Sequence, residues 1–215
     1  MEPGKIRLKT FLISIAAIIF IEAGMAVTVS KSHLNPAVML GSVRLIQMMM
    51  IILIIMTMEN GLSTIGLAPG TIIRGFKKGL IWSGLFGLLT LLAAIVLFLS
   101  GINPLALIHS PVPAEHGGII LYFLVSCIVG PVTEEFFFRG ILYGFFRRWG
   151  MSAALILTTL IFVSAHAGYA GTIPVTQTVG GIIFAISYEA EANLMVPITI
   201  HVLGNTAMVT LSLIR

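Results

Sequence analysis

Apolar residues fill this chain in long runs, divided by short polar or glycine-bearing segments. Runs over 10–29, 37–58, 79–99, 118–148, 151–168, 172–187 and 194–214 read as helices. Most approach or exceed the roughly 20 residues that an α-helix needs to cross a hydrocarbon core. Gly84 and Gly87 in the third run offer close contact with a neighbouring helix. In the fourth, Gly130-Pro131 brings in a residue without an amide hydrogen, so a kink or break is expected there. The pattern predicts an all-α fold: a polytopic membrane helix bundle of seven transmembrane helices, or eight if Pro131 separates two. One integral membrane domain, 1–215, would enclose a polar cavity, with its core at about 118–213.

Composition sharpens this picture. The chain of 215 residues is 58% hydrophobic and only 9% charged, with a mean hydropathy of +1.08; a soluble domain carries about 25% charged residues. The net charge of +4 collects near run ends, which suits anionic lipid head groups. No basic patch with interleaved aromatics occurs, so no nucleic-acid partner is expected. A single cysteine, Cys127, rules out an internal disulfide. No small-residue cleavage site follows the first run, which reads as a retained helix rather than a signal peptide.

Charge also orients the chain. With the N-terminus in the cytoplasm, that side holds Lys5, Arg7, Lys9, Arg74, Lys77, Lys78, Arg147 and Arg148, against Lys31 and Arg215 opposite. The same bias puts the end of the fourth helix, and the expected mouth of the site, on the cytoplasmic side. Arg44 reads as a snorkelling side chain, with a pair to Glu22 across the first two helices as the alternative. His109, Glu115 and His116 lack ligand-type spacing and read as solvated loop residues rather than a metal site.

The fourth run carries the densest chemistry, Glu134-Glu135 and Arg139 between apolar flanks. Each charge at bilayer depth costs roughly 2.5–3.5 kcal/mol on insertion scales, so three together require a cause. Glu135 and Arg139 are four apart and share a helix face, where they can neutralise each other. Glu134 lies about 100° round the helix and is left for something else. Three further polar residues interrupt apolar helices: His166, His201 and Asn205. The last two are four apart on one face, so three helices can direct Glu134, His166 and the His201/Asn205 pair into one cavity.

No nucleophile accompanies them. Cys127 lies in an apolar run, Ser164 points away from His166, Asp is absent, and no G-x-S-x-G occurs. A desolvated carboxylate, by contrast, is an effective general base. The set therefore fits water-mediated peptide hydrolysis: Glu134 takes the proton of a water that a histidine holds, while His201 and Asn205 donate to the oxyanion.

Glu134-Glu135-x-x-x-Arg139, Phe162-x-x-x-His166 and His201-x-x-x-Asn205, in that order, resemble the three motifs of the CPBP family. It comprises CAAX prenyl endopeptidases and bacteriocin-processing or immunity (Abi) proteins. Pro131, Phe138-Arg139-Gly140 and Pro197-Ile198 fit the same surroundings, and the resemblance covers about 130–205. It implies an intramembrane glutamic endopeptidase of about eight helices around a conical cavity, with no cofactor and no metal. Glu134 and His166 would activate water, His201 and Asn205 would stabilise the oxyanion, and Glu135 and Arg139 would hold the site in place. The expected partners are the lipid bilayer and a membrane-anchored or lipidated protein or peptide with a CAAX-type, leader or sorting-anchor sequence.

Three other functions use the same residues. Glu134, His166 and His201 form a His₂Glu set for a metal-dependent intramembrane protease. A bacteriocin-immunity or scaffold protein would need no chemistry. A proton-relaying transporter would use the carboxylate, although a relay has no need of Asn205.

Overall fold

The computed structural model describes residues 5–29, 35–108, 116–167 and 174–213. Seven long helices account for nearly all of them: α1 (Leu8–Val29), α2 (Pro36–Met58), α3 (Ile72–Leu99), α4 (116–149), α5 (Met151–Ala167), α6 (Val175–Glu191) and α7 (Met195–Leu213). Among the described residues there is no strand, so the bundle is all-α. Five helices, α1 to α4 and α7, are long and apolar enough to cross a membrane, while α5 and α6 have 17 residues each. Large apolar side chains such as Phe20, Leu89 and Phe98 stand exposed on the outside, as expected where the solvent is lipid.

Local chemistry sets several boundaries. Asn35 caps α2, its Oδ1 accepting the Ala37 amide at 2.8 Å, and Pro36 takes the first-turn position where a missing N–H costs nothing. α3 starts seven residues before the expected 79, so Arg74, Lys77 and Lys78 are helical. α6 likewise runs past Ser187 to include Glu189 and Glu191. Ion pairs at that end of the bundle neutralise both: Arg147 Nη2 lies 2.8 Å from Glu189 and Lys78 Nζ 3.5 Å from Glu191.

The helix does not break at Pro131. Backbone helicity continues through Gly130 (φ −58°, ψ −61°), so the described residues hold seven long helices rather than eight. A π-helical stretch, Val125–Val129, accommodates the proline by widening the turn before it, and a second, Phe136–Tyr143, carries Arg139.

The glycines singled out for close packing are also different ones. A Cβ at Gly84 or Gly87 would meet nothing within 4 Å, whereas one at Gly79 would lie 2.5 Å from Thr199 Cβ on α7. α3 therefore lies closest to the bundle at Gly75 and Gly79, packs Trp82 and Phe86 on the core beyond them, and turns its outer face to lipid.

α1 and α2 do pair through Glu22 and Arg44, with Arg44 Nη1 2.8 Å from Glu22 Oε1. Gln47 joins them, its Nε2 donating to the same oxygen at 2.8 Å. His109 and Glu115 lie outside the described residues, as do Lys31 and Arg215 and the side chain of His116.

Candidate active site

Four helices close round the Glu134-Glu135 pair of α4. α2 buttresses α4 from one side, where Thr133 Oγ1 lies 3.0 Å from the Arg44 carbonyl and 2.8 Å from that of Val129. Gly41 permits this crossing, since a Cβ there would meet Val125 at 2.7 Å. On the opposite side α5, α6 and α7 close round the motif.

Glu135 is wholly buried and holds two partners on one oxygen. Its Oε1 accepts from Arg139 Nη1 at 3.0 Å and from His201 Nδ1 at 2.7 Å. Arg139, equally buried, donates through Nη2 to the Gly181 carbonyl of α6 at 3.1 Å. Its guanidinium also lies 4.9 Å and 5.1 Å from the ring centres of Phe162 and Phe184. The pairing expected from the four-residue spacing is thus formed, and it joins α4 to α6 and α7. Glu135 Oε2 and Arg139 Nε stay buried without a protein partner.

Glu134 points elsewhere. Its Oε2 lies 3.9 Å from His166 Nε2 and 3.8 Å from His201 Nε2, too far for direct hydrogen bonds and well within reach of one bridging water. The opposite nitrogen of each imidazole is engaged. His166 Nδ1 is 2.8 Å from the Phe162 carbonyl, which can only accept, so that nitrogen carries the proton. His201 Nδ1 donates to the Glu135 carboxylate, and its ring stacks on Phe184 with centroids 4.5 Å apart. Both Nε2 atoms are therefore turned to Glu134. Side-chain exposure is 19% for Glu134, 28% for His166 and 6% for His201. His166 is the penultimate residue of α5, at the end of that helix away from Met151 and the Arg147–Trp149 turn.

Asn205 shares a face with His201, one turn further along α7, but its amide is committed to α4: Nδ2 donates to the Ser126 carbonyl at 2.8 Å. The π turn explains why that carbonyl is available. Gly130 N–H bonds to the Val125 carbonyl, five residues back. In that register the next donor, to Ser126, would be Pro131, which has none. Asn205 supplies the missing hydrogen. Among the described residues no three His, Cys, Asp or Glu side chains are grouped as a metal site.

Sequence reasoning missed Gly181, Phe184 and Ser126. Nothing local marks the first two, which act through a backbone carbonyl and a ring face. Ser126 carries one readable signal, its place five residues before a proline.

Comparison with known proteins bears on the same segment. Residues 116–207 match the family model described as type II CAAX prenyl endopeptidase Rce1-like, so the resemblance carried by the three motifs holds over that segment. A 24.3 kDa uncharacterized protein of Escherichia coli is 30% identical over 92 residues, 41% of this chain and 42% of that protein. The relative named membrane peptidase YdiL, from Bacillus subtilis, is 33% identical over 94 residues, 43% of this chain and 38% of its own length. The membrane-embedded CAAX protease MroQ of Staphylococcus aureus is 35% identical over 103 residues, 45% of this chain and 40% of its own. The chain thus aligns with about two fifths of each relative. No solved structure matches it significantly. With its apolar helices, the chain is an integral membrane protein.

Proposed function

With residues 116–207 as an Rce1-like segment, we propose that the protein is an intramembrane glutamic endopeptidase. One observation carries the reading: a part-buried carboxylate and the Nε2 atoms of two histidines, from three helices, face one point within 4 Å of Glu134 Oε2.

A water held there donates one hydrogen to Glu134 and the other to His166 Nε2. As its oxygen bonds to the scissile carbonyl carbon, Glu134 takes the proton. The oxyanion accepts from His201 Nε2–H in the charged imidazole, with Glu135 as counter-ion at Nδ1. Collapse breaks the C–N bond, and the proton on Glu134 passes to the leaving amine. Asn205 enters this scheme with one amide hydrogen already given to Ser126, leaving a single N–H for the oxyanion. Glu135 and Arg139 fix the ring of His201 and touch no reacting atom.

The substrate in this reading is a membrane-anchored or lipidated protein or peptide, cut close to the membrane. Its class is that of a CAAX-type tail, a leader or a sorting anchor. The N-terminus lies in the cytoplasm, which topology reporters at Lys5 and in the 109–115 loop would check by opposite signals.

Glu134→Gln tests the chemistry. Membrane proteomes of cells carrying the wild type and this variant are compared for shifted protein termini. Substrate termini should revert to the uncut form in the variant at unchanged membrane abundance, a loss of about 10²–10⁴-fold in cleavage. Identical termini in the two would sink the protease reading. Full protection of cells from a bacteriocin by the variant would establish the binding alternative.

A further inference from the structure

A second site lies at the other end of the bundle, away from His166. The first turns of α3 bear Arg74, Lys77 and Lys78, all exposed. They border two adjoining cavities that share Arg74 and Lys78. One, of about 240 Å³, is set between α3 and the Ala192-Asn193 link into α7, with Ser63 and Thr71 on its polar wall. The other is an open groove on the outer face of α3, flanked by Ile73 and Ile81. Those two isoleucines are 72% and 59% exposed and begin the apolar strip that α3 presents to lipid.

The charges do not cancel. Glu191 is the single carboxylate lining either cavity, and it is already bound by Lys78 at 3.5 Å and Trp82 Nε1 at 3.2 Å. Arg74 and Lys77 have no carboxylate partner among the described residues. A recess lined by one uncompensated cation, Arg74, with a second, Lys77, beside it on the outer face of α3 and an apolar strip beyond, matches an amphiphile whose head is anionic and whose tail lies along a helix. We propose that this recess binds the phosphodiester head group of an anionic phospholipid, with its acyl chain along Ile73 and Ile81. Its floor is tied to the catalytic helix: Asn193 donates to the Thr71 carbonyl at 3.0 Å and accepts the Met195 amide at 3.0 Å, at the start of α7. The site does not depend on the protease reading.

Full-length protein in nanodiscs tests it, by native mass spectrometry of retained lipid and by thermal melting. Phosphatidylglycerol should be retained about tenfold more tightly than phosphatidylcholine and should raise the melting midpoint. Arg74→Gln/Lys77→Gln, which leaves the Lys78–Glu191 bridge intact, should lose that preference while melting normally in phosphatidylcholine. Lys5→Gln/Lys9→Gln, an equal charge change elsewhere, should keep it. Glu134→Gln should behave as the wild type, which separates failure here from failure of the catalytic reading. An unchanged preference in Arg74→Gln/Lys77→Gln, or equal loss in Lys5→Gln/Lys9→Gln, overturns the proposal. Equal stabilisation by inorganic phosphate overturns it too, since a free anion would then be the ligand.

Discussion

Asn205 of α7 donates to the carbonyl of Ser126 on α4 at 2.8 Å, in place of the hydrogen that Pro131 lacks. A buried acceptor deprived of its donor costs about 1–3 kcal/mol. Asn205→Ala should lower stability by that amount. Pro131→Ala restores an amide in the right register, so the double variant should recover part of the loss while either single variant does not. Thermal melting of the four proteins in one lipid composition gives the coupling directly. Additive losses would mean that Asn205 and Pro131 do not share the Ser126 carbonyl.

The Glu135–Arg139 pair should separate stability from activity. Glu135→Leu alone strands a buried guanidinium and should cost about 3–5 kcal/mol. Glu135→Leu/Arg139→Met removes both charges from the same volume, and stability should return to near the wild type. Activity should not return, because His201 Nδ1 has lost the acceptor that orients its ring. A misplaced catalytic group commonly costs about 10²-fold. A double variant both stable and active would show that Glu135 serves the fold alone.

The distances between helices explain which parts of the site were legible in sequence. Spacing of four within one helix paired Glu135 with Arg139 and aligned His201 with Asn205, because a helix fixes such neighbours by its own geometry. Polar residues at bilayer depth also marked Glu134 and His166, since lipid offers them no alternative partner. What spacing does not encode is the partner on another helix. Asn205 shares the predicted face but spends its amide on Ser126, and Gly181 acts through a carbonyl that any residue has. Pro131 was expected to bend or break the helix, whereas a π turn absorbs it without a break. Helix limits at 72 and 191 shifted for a third reason. Charged residues looked like loop, yet Arg147 and Lys78 neutralise the two glutamates that end α6.

Chelation distinguishes the glutamic mechanism from the metal-dependent one built on the same residues. With Glu134 as base and no metal in the scheme, activity should be unchanged after prolonged treatment with EDTA and phenanthroline. Metal analysis of the purified protein should find less than a stoichiometric amount of zinc. Loss of activity that zinc alone restores would assign Glu134, His166 and His201 as ligands instead.

α3 supplies the last prediction, because a single glycine, Gly79, lets it lie against Thr199 of α7. A Cβ at Gly79 would come within 2.5 Å of Thr199 Cβ, a contact that forces the two backbones apart. Overpacking of this kind costs about 1–3 kcal/mol, against a gain of up to about 1 kcal/mol from the higher helix propensity of alanine. Gly79→Ala should therefore destabilise. Thr199 precedes His201 by two residues, so the shift should also reduce activity beyond what the lost folded fraction explains. Gly84→Ala, five residues on and with nothing within 4 Å of its new methyl group, should be neutral or slightly stabilising. Melting followed by tryptophan fluorescence, with Trp82 between the two positions, compares them in one lipid background. Equal effects at 79 and 84 would mean that α3 does not pack on α7 at Thr199.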